Sequence, residues 1–264
     1  MAGKQLFMSP MRGIPTIRKI AKSGLVFLLG REKRPRTIVR GVARGYRICV
    51  SPAENLGYLI GTFEPHLQRA IKEYVTAGDT VYDIGANVGY ASLSLAKRVG
   101  PEGYVFAFEP LPANVKALRQ NIEVNRLTNV RILEVAVSDK CGEASIRVAE
   151  NDAMASLVWH RDNPSAAKMM IRTMAIDDFV ETSQIPVPKF VKIDVEGAEG
   201  QVLLGMRHTL VKARPVVFLE CSDAGRETTW KVLSDLGYRC ESALTRKAIR
   251  IFEHYRHADF LWIP

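Results

Sequence analysis

From about residue 66 onward, short apolar runs of strand character alternate with stretches whose apolar positions recur at helical spacing. "TVYDIG" at 80–85 reads as a strand ending on a glycine turn, and "YASLSLAKRVG" at 90–100 as a helix stopped by Gly100 and Pro101. "GYVFAFEP" at 103–110 is a second buried strand, followed by a helix, "PANVKALRQNIEVNR" at 112–126, with Val115, Leu118 and Ile122 as its apolar positions. "VRILEVAVSD" at 130–139 reads as a third strand. A β-α-β-α-β run with short connections calls for a parallel sheet with helices on both faces.

The middle of the chain breaks this rhythm. "EASIRVAE" at 143–150 and "MMIRTMAIDDF" at 169–179 read as short strands flanking a polar insertion, "NDAMASLVWHRDNPSAAK", at 151–168. An irregular stretch of that length inside a compact domain is often a functional loop. The alternation resumes with a strand at 189–197, a helix at 198–206, a strand at 214–223, a helix near 225–236 and a closing strand, "DFLWIP", at 259–264.

Composition changes the picture mainly at the N-terminus. Of 264 residues 47% are hydrophobic, ordinary for a globular chain with a real core. The apolar run Leu25–Leu29 is far shorter than the roughly 20 residues of a membrane span. Basic residues precede it as in a signal peptide, but no small-residue cleavage site follows, so a cytoplasmic protein is expected. Cys49, Cys141, Cys221 and Cys240 lack the spacing of a zinc site or redox pair. Residues 1–50 carry twelve Lys and Arg against one acid, Glu32, a local +11 within a chain of net charge +9. The expected division is a basic N-terminal extension, 1–50, and a main domain, 51–264. Within the extension, residues 16–29 place Ile17, Ile20, Ala21 and Gly24 at helical spacing, suited to docking as a lid or to peripheral contact with an anionic membrane.

Candidate chemistry gathers at strand ends. In an open parallel sheet, ligands bind beyond the carboxyl ends of the strands. Gly85 and Gly89 flank the first βα turn, where the absence of a Cβ would let a ligand approach closely. The spacing G-A-N-V-G lacks the middle glycine of a dinucleotide fingerprint, which argues against a nicotinamide-dependent oxidoreductase. Glu109, at the end of the next strand, is placed to accept hydrogen bonds from ribose hydroxyls, so an adenosine-like ligand is expected. A second acidic group, Asp194, Glu196 and Glu199 in "KIDVEGAEG", closes the fourth main strand, with capping as the alternative role for Glu199.

Taken together, "DIGANVG", "FAFEP", "AVSDKCG", "KIDVEGAE" and "VVFLEC" resemble, in their order, the FkbM family of S-adenosylmethionine-dependent methyltransferases over roughly residues 57–263. The resemblance implies a class I methyltransferase fold, α/β and Rossmann-like: a mostly parallel seven-stranded sheet with an antiparallel last strand and helices on both faces. It further implies S-adenosyl-L-methionine as donor and S-adenosyl-L-homocysteine as product. By motif position Asp83, Gly85, Ala86, Asn87 and Gly89 would line the methionine and ribose, Glu109 would hold the ribose, and Ala136, Val137 and Ser138 would lie near adenine. Glu64 of "GTFEP" and Asp194 would lie near the donor as well.

Family members are mostly linked to O-methylation of sugars, polyketides and related metabolites, so a small-molecule acceptor is expected. Positioning supplies most of the catalysis of methyl transfer, and a hydroxyl acceptor also benefits from a base. The candidates are Asp194, Glu196, Glu220 and, in the insertion beside Trp159, His160, for which a solvated loop residue is the alternative reading. No metal is expected, because the short acidic cluster lacks the spread of ligands of a dedicated ion site. A nucleic-acid or membrane-associated acceptor would use the basic arm, although that arm lacks the interleaved aromatics of single-strand binders. A non-catalytic nucleotide-binding module is the remaining alternative.

Overall fold

The computed structural model describes residues 30, 32–148, 167–195, 197–223, 225–250 and 259–264. The expectations for residues 16–29 and for Trp159, His160 and Glu196 lie outside these residues.

Five β-rich runs form the parallel heart of one sheet: β3 (Thr80–Ile84), β4 (Tyr104–Phe108), β5 (Val130–Leu133), β9 (Phe190–Ile193) and β10 (Val216–Glu220). With β11 (Arg239–Ser242), β12 (Ala248–Ile249) and β13 (Asp259–Ile263) added, the strand order is β12-β11-β13-β10-β9-β3-β4-β5, so the chain reverses direction of travel at β3, between β4 and β9. The last strand, β13 (Asp259–Ile263), runs antiparallel between β10 and β11 (Arg239–Ser242). These are the seven strands of a class I methyltransferase sheet, and the two-residue β12 (Ala248–Ile249) adds a short edge beyond them.

Alternation along each central strand feeds two cores. Tyr82, Ile84, Phe106, Phe108, Val191 and Ile193 face one way, against α6 (Glu199–Leu204), α7 (Arg207–Ala213) and α8 (Arg226–Asp235). Val81, Val105, Phe190 and Phe218 face the other way, against α2 (Pro65–Tyr74) and α3 (Tyr90–Val99). On that second side α4 (Pro112–Val124) packs Leu118 and Ile122 on Ala107. Strands buried on both faces need continuous apolar runs, as these have.

Two sequence expectations are corrected. The run 130–139 is not one strand: β5 ends at Leu133, and β6 (Ala136–Val137) joins a separate three-stranded sheet, β6-β8-β7, with β7 (Gly142–Val148) and β8 (Ala167–Met174). The break falls at Glu134, whose half-exposed carboxylate takes the Arg119 guanidinium at 2.7 Å on the open flank of the edge strand. Likewise, 169–179 divides into β8 and a helix, α5 (Ile176–Glu181). Asp177 in its first turn accepts the N–H groups of His208 and Thr209, both at 2.8 Å, and so caps α7 while suiting the dipole of α5.

The described part of the basic segment is structured. β1 (Arg34–Thr37) and β2 (Arg47–Val50) form an antiparallel ribbon, followed by α1 (Pro52–Ile60), which Ser51 caps and Gly61 ends in the left-handed conformation. Ile38, Ile48 and Val50 are buried with Leu56, Tyr58, Tyr90 and Leu93, and the Cys49 N–H donates to Asn121 Oδ1 of α4 at 2.7 Å.

Candidate active site

The site begins where β3 ends. Gly85 and Ala86 both donate their N–H groups to the Phe108 carbonyl at 3.0 Å, which fastens the turn to β4. Asn87 then takes a left-handed conformation, φ +51°, tolerable for asparagine, and its N–H donates to Glu109 Oε2 at 2.8 Å. Glu109 is buried, its Oε1 accepting from Leu111 N–H at 2.9 Å and Asn114 Nδ2 at 3.3 Å. Burial raises its pKa, and the backbone donors offset part of that rise. A carboxylate offers about four acceptor positions, so capacity remains for a ligand hydroxyl.

The role assigned to the two glycines is corrected. A Cβ at Gly85 (φ +79°) would stand 1.8 Å from the Asp194 carbonyl oxygen, and one at Gly89 (φ +93°) 2.4 Å from Leu118 Cδ1. Both positions serve the backbone conformation and protein packing, not clearance for a ligand. Ala86 similarly turns its methyl toward Leu118 and Ile122.

At the ends of β3, β9 and β10 a group of carboxyls surrounds one buried cation, Lys192. Its Nζ donates to the Gly85 carbonyl at 2.8 Å and lies 3.4 Å from Asp83 Oδ1 and 3.3 Å from Asp194 Oδ2. Burial alone would discharge this lysine, but Asp194, Asp83 and Glu64 together raise its pKa and hold the proton. Asp83, fully buried, also accepts the Ser92 hydroxyl at 2.5 Å, whereas the Asp194 side chain keeps 25% exposure. Glu64, in a left-handed conformation ahead of Pro65, makes no cap hydrogen bond. Burial, reinforced by Asp194, Glu220 and Asp83 and opposed by Lys192, pushes its pKa up to about 8. Behind it Tyr58 stacks on Tyr90 with centroids 4.8 Å apart, and Phe63 meets both edge-on.

Lys192 was not among the sequence candidates. The signal was present: a lysine between Val191 and Ile193 on a strand buried at every position requires countercharges. Glu199, by contrast, is structural. It begins α6 and, buried, accepts from Gly197 N–H at 2.8 Å and from the Ser222 hydroxyl at 3.0 Å, tying this turn to the loop after β10.

Beside the turn lies a cavity of about 240 Å³. Gly85, Phe108 and Pro110 form one side, Ala136, Val137 and Ser138 a second, and Ile146 and Ile171 of the small sheet roof it. The structure thus brings Gly85 into one space with residues 136–138, and Glu64, Asp83, Asp194 and Glu220 into one electrostatic group.

The strand order and antiparallel last strand found here are those of the class I methyltransferase fold, with the crevice at the strand reversal. The family model described as "Methyltransferase FkbM domain" matches residues 83–240, and the chain belongs to that family. Among relatives, the hexuronic acid methyltransferase AglP of Haloferax volcanii is 28% identical over 172 residues, 65% of this chain and 68% of that one. The 2-O-methyltransferase NoeI of Sinorhizobium fredii is 28% identical, with 54% of this chain and 63% of that one covered. The 31-O-demethyl-FK506 methyltransferase FkbM of Streptomyces tacrolimicus is 30% identical, with 49% and 60% covered. The chain thus spans less than two thirds of the last two relatives.

Proposed function

We propose that this chain binds S-adenosyl-L-methionine in the crevice beyond β3, β4 and β9 and methylates a hydroxyl of a small sugar- or polyketide-like acceptor. The observation that carries the reading is the group of three carboxyls, Glu64, Asp83 and Asp194, set around Lys192, the one cation of this group among the described residues, beside the Gly85 turn. A site with more carboxyls than cations favours a positively charged ligand. Three further features fit the donor. The apolar cavity beside residues 136–138 suits a purine, and Glu109 has acceptor capacity left for ribose. Asn87 Oδ1 is buried without a hydrogen-bond partner among the described residues.

When bound, the donor supplies a methyl group made electrophilic by its sulfonium. The protein's share is to orient, exclude water and move one proton. Lys192 fixes Asp83 and Asp194 against the Gly85 carbonyl, so the turn cannot shift without breaking a buried charge network. Asp83 has no access to an acceptor, whereas the partly exposed Asp194 does, and Asp194 takes the hydroxyl proton as the acceptor oxygen becomes an ether. The hydroxyl chemistry of the acceptor is supported by the names of two relatives, a 2-O-methyltransferase and a 31-O-demethyl-FK506 methyltransferase.

Thermal unfolding with added ligand tests the donor. S-adenosyl-L-homocysteine should raise the melting temperature, by an increment equivalent to about 2.7 kcal/mol at a hundredfold excess over Kd. Stabilisation by NAD with no response to S-adenosyl-L-homocysteine would overturn the reading.

A further inference from the structure

A second, open cavity of about 670 Å³ lies between the β1–β2 ribbon and α1. Arg34, Arg36 and Arg47 line it together with Thr37, and Leu59 and Ile60 form an apolar floor. Its wall is built into the fold, because the Val39 N–H donates to the Leu59 carbonyl at 2.9 Å and Ile48 and Val50 of the same ribbon are buried. Among the described residues Arg34 and Arg47 have no ion pair. Residues 1–31 contain no Asp or Glu, and Glu32 is the one acid that precedes the ribbon.

We propose that this cavity binds the phosphate or diphosphate of a phosphate ester. Guanidinium groups pair with phosphate oxygens through two parallel hydrogen bonds, and Arg34 and Arg47 present two such groups to one space. The apolar floor accommodates the uncharged part of the ester next to the phosphate.

The position gives the site its use. Tyr58 and Ile60 are two residues apart on α1 and so project about 200° apart. Tyr58 stacks on Tyr90 beside Glu64, while Ile60 lines the cavity. The phosphate site and the carboxyl group are therefore separated by about one helix diameter, some ~10–12 Å, a span that one phosphorylated sugar covers. The phosphate is the handle by which the acceptor is held; this assignment rests on the methyl-transfer reading, whereas the binding of the anion does not.

Calorimetry of the full chain with pyrophosphate at about 150 mM NaCl tests the site. Saturable one-to-one binding is expected, weakened at least about tenfold in Arg34→Gln/Arg47→Gln, as loss of charge-assisted hydrogen bonds requires. Binding of S-adenosyl-L-homocysteine should be unchanged in that variant. If the double variant loses S-adenosyl-L-homocysteine binding as well, Arg47→Gln alone, at an exposed position, decides by the same criterion. Co-sedimentation with phosphatidic acid vesicles identifies the source. Vesicle binding that pyrophosphate competes away marks a lipid-linked phosphate, and pyrophosphate binding without sedimentation marks a soluble ester. Absent pyrophosphate binding, or binding indifferent to the arginine substitutions, overturns the proposal. A wild-type protein that binds pyrophosphate but not S-adenosyl-L-homocysteine would instead remove the donor reading and leave the cavity's role intact.

Discussion

Lys192 is the residue on which the candidate site turns. A buried ion group adds little stability over an apolar replacement, but removing one member leaves the others unpaired. Lys192→Met should therefore cost about 3–5 kcal/mol in urea unfolding, since Asp83 loses its countercharge at zero exposure. Adding Asp83→Asn to that variant should recover part of the loss, and strict additivity would mean that the two side chains do not interact in solution. Glu64 supplies a pH signature. Its pKa rises from the ordinary 4.5 to about 8 on folding, so the native state keeps a proton that the unfolded chain gives up. This contribution to stability is complete below pH 4.5 and is lost as pH climbs to 8. Melting of the free protein should thus decline over this window, and Glu64→Gln should flatten the decline. Binding of the sulfonium donor should also draw the proton off Glu64, whereas the uncharged thioether product should do so far less. Calorimetry at pH 7 in buffers of different ionisation enthalpy measures that difference, and equal proton release by the two ligands would place the sulfonium away from Glu64.

At the scale of elements, the sequence exposed whatever depends on periodicity. The strands through Val81, Val105, Val191 and Val217 are apolar on both faces and therefore readable, and so is the helix stopped by Gly100. Where pairing partners decide, the signal fails. Residues 130–139 are β-rich throughout, yet Ala136 and Val137 pair with Thr173 and Met174, far along the chain, and no local property announces that. The glycines illustrate the same limit, since a turn glycine looks identical whether it makes room for a ligand or for protein. Their surroundings now rank two substitutions. Gly85→Ala drives a methyl into the Asp194 backbone carbonyl, and should cost about 1–3 kcal/mol or more, the range for overpacking. Gly89→Ala meets only the tip of the Leu118 side chain, which can rotate, so its cost is mostly the strain of positive φ and should be smaller. Urea unfolding that reverses this order would return the ligand-clearance explanation for Gly89.

At the scale of the whole molecule, the open matter is where the domain begins. Charge counting draws the line near residue 50, because the basic excess ends there. Packing argues for an earlier one. Ile38 and Ile48 have no exposed surface and Val50 has 1%, all three in the cluster that holds Tyr58, Tyr90 and Leu93 beside the candidate site. Each such side chain contributes at most about 1.5–3 kcal/mol on burial, and a domain's net stability is only about 5–15 kcal/mol. Losing three such side chains is therefore large against that net margin. Asn121 of α4 and Asn125, which caps its C-terminal end, add to the cost of losing the ribbon, since they bond the backbone of Cys49 and Arg47 at 2.6–2.7 Å. Two truncations separate the alternatives. Removal of residues 1–29 should leave the melting temperature and S-adenosyl-L-homocysteine binding close to those of the full chain, because the ribbon that supports Tyr58 and Tyr90 begins at Arg34. Removal of residues 1–50 should bare Leu93 and the inner side of α1, lower the melting temperature sharply and weaken the donor through loss of support for Tyr58 and Tyr90. If the longer truncation melts like the full chain, the basic segment is an appendage after all, and the proposed phosphate site on its ribbon has no structural tie to the candidate crevice.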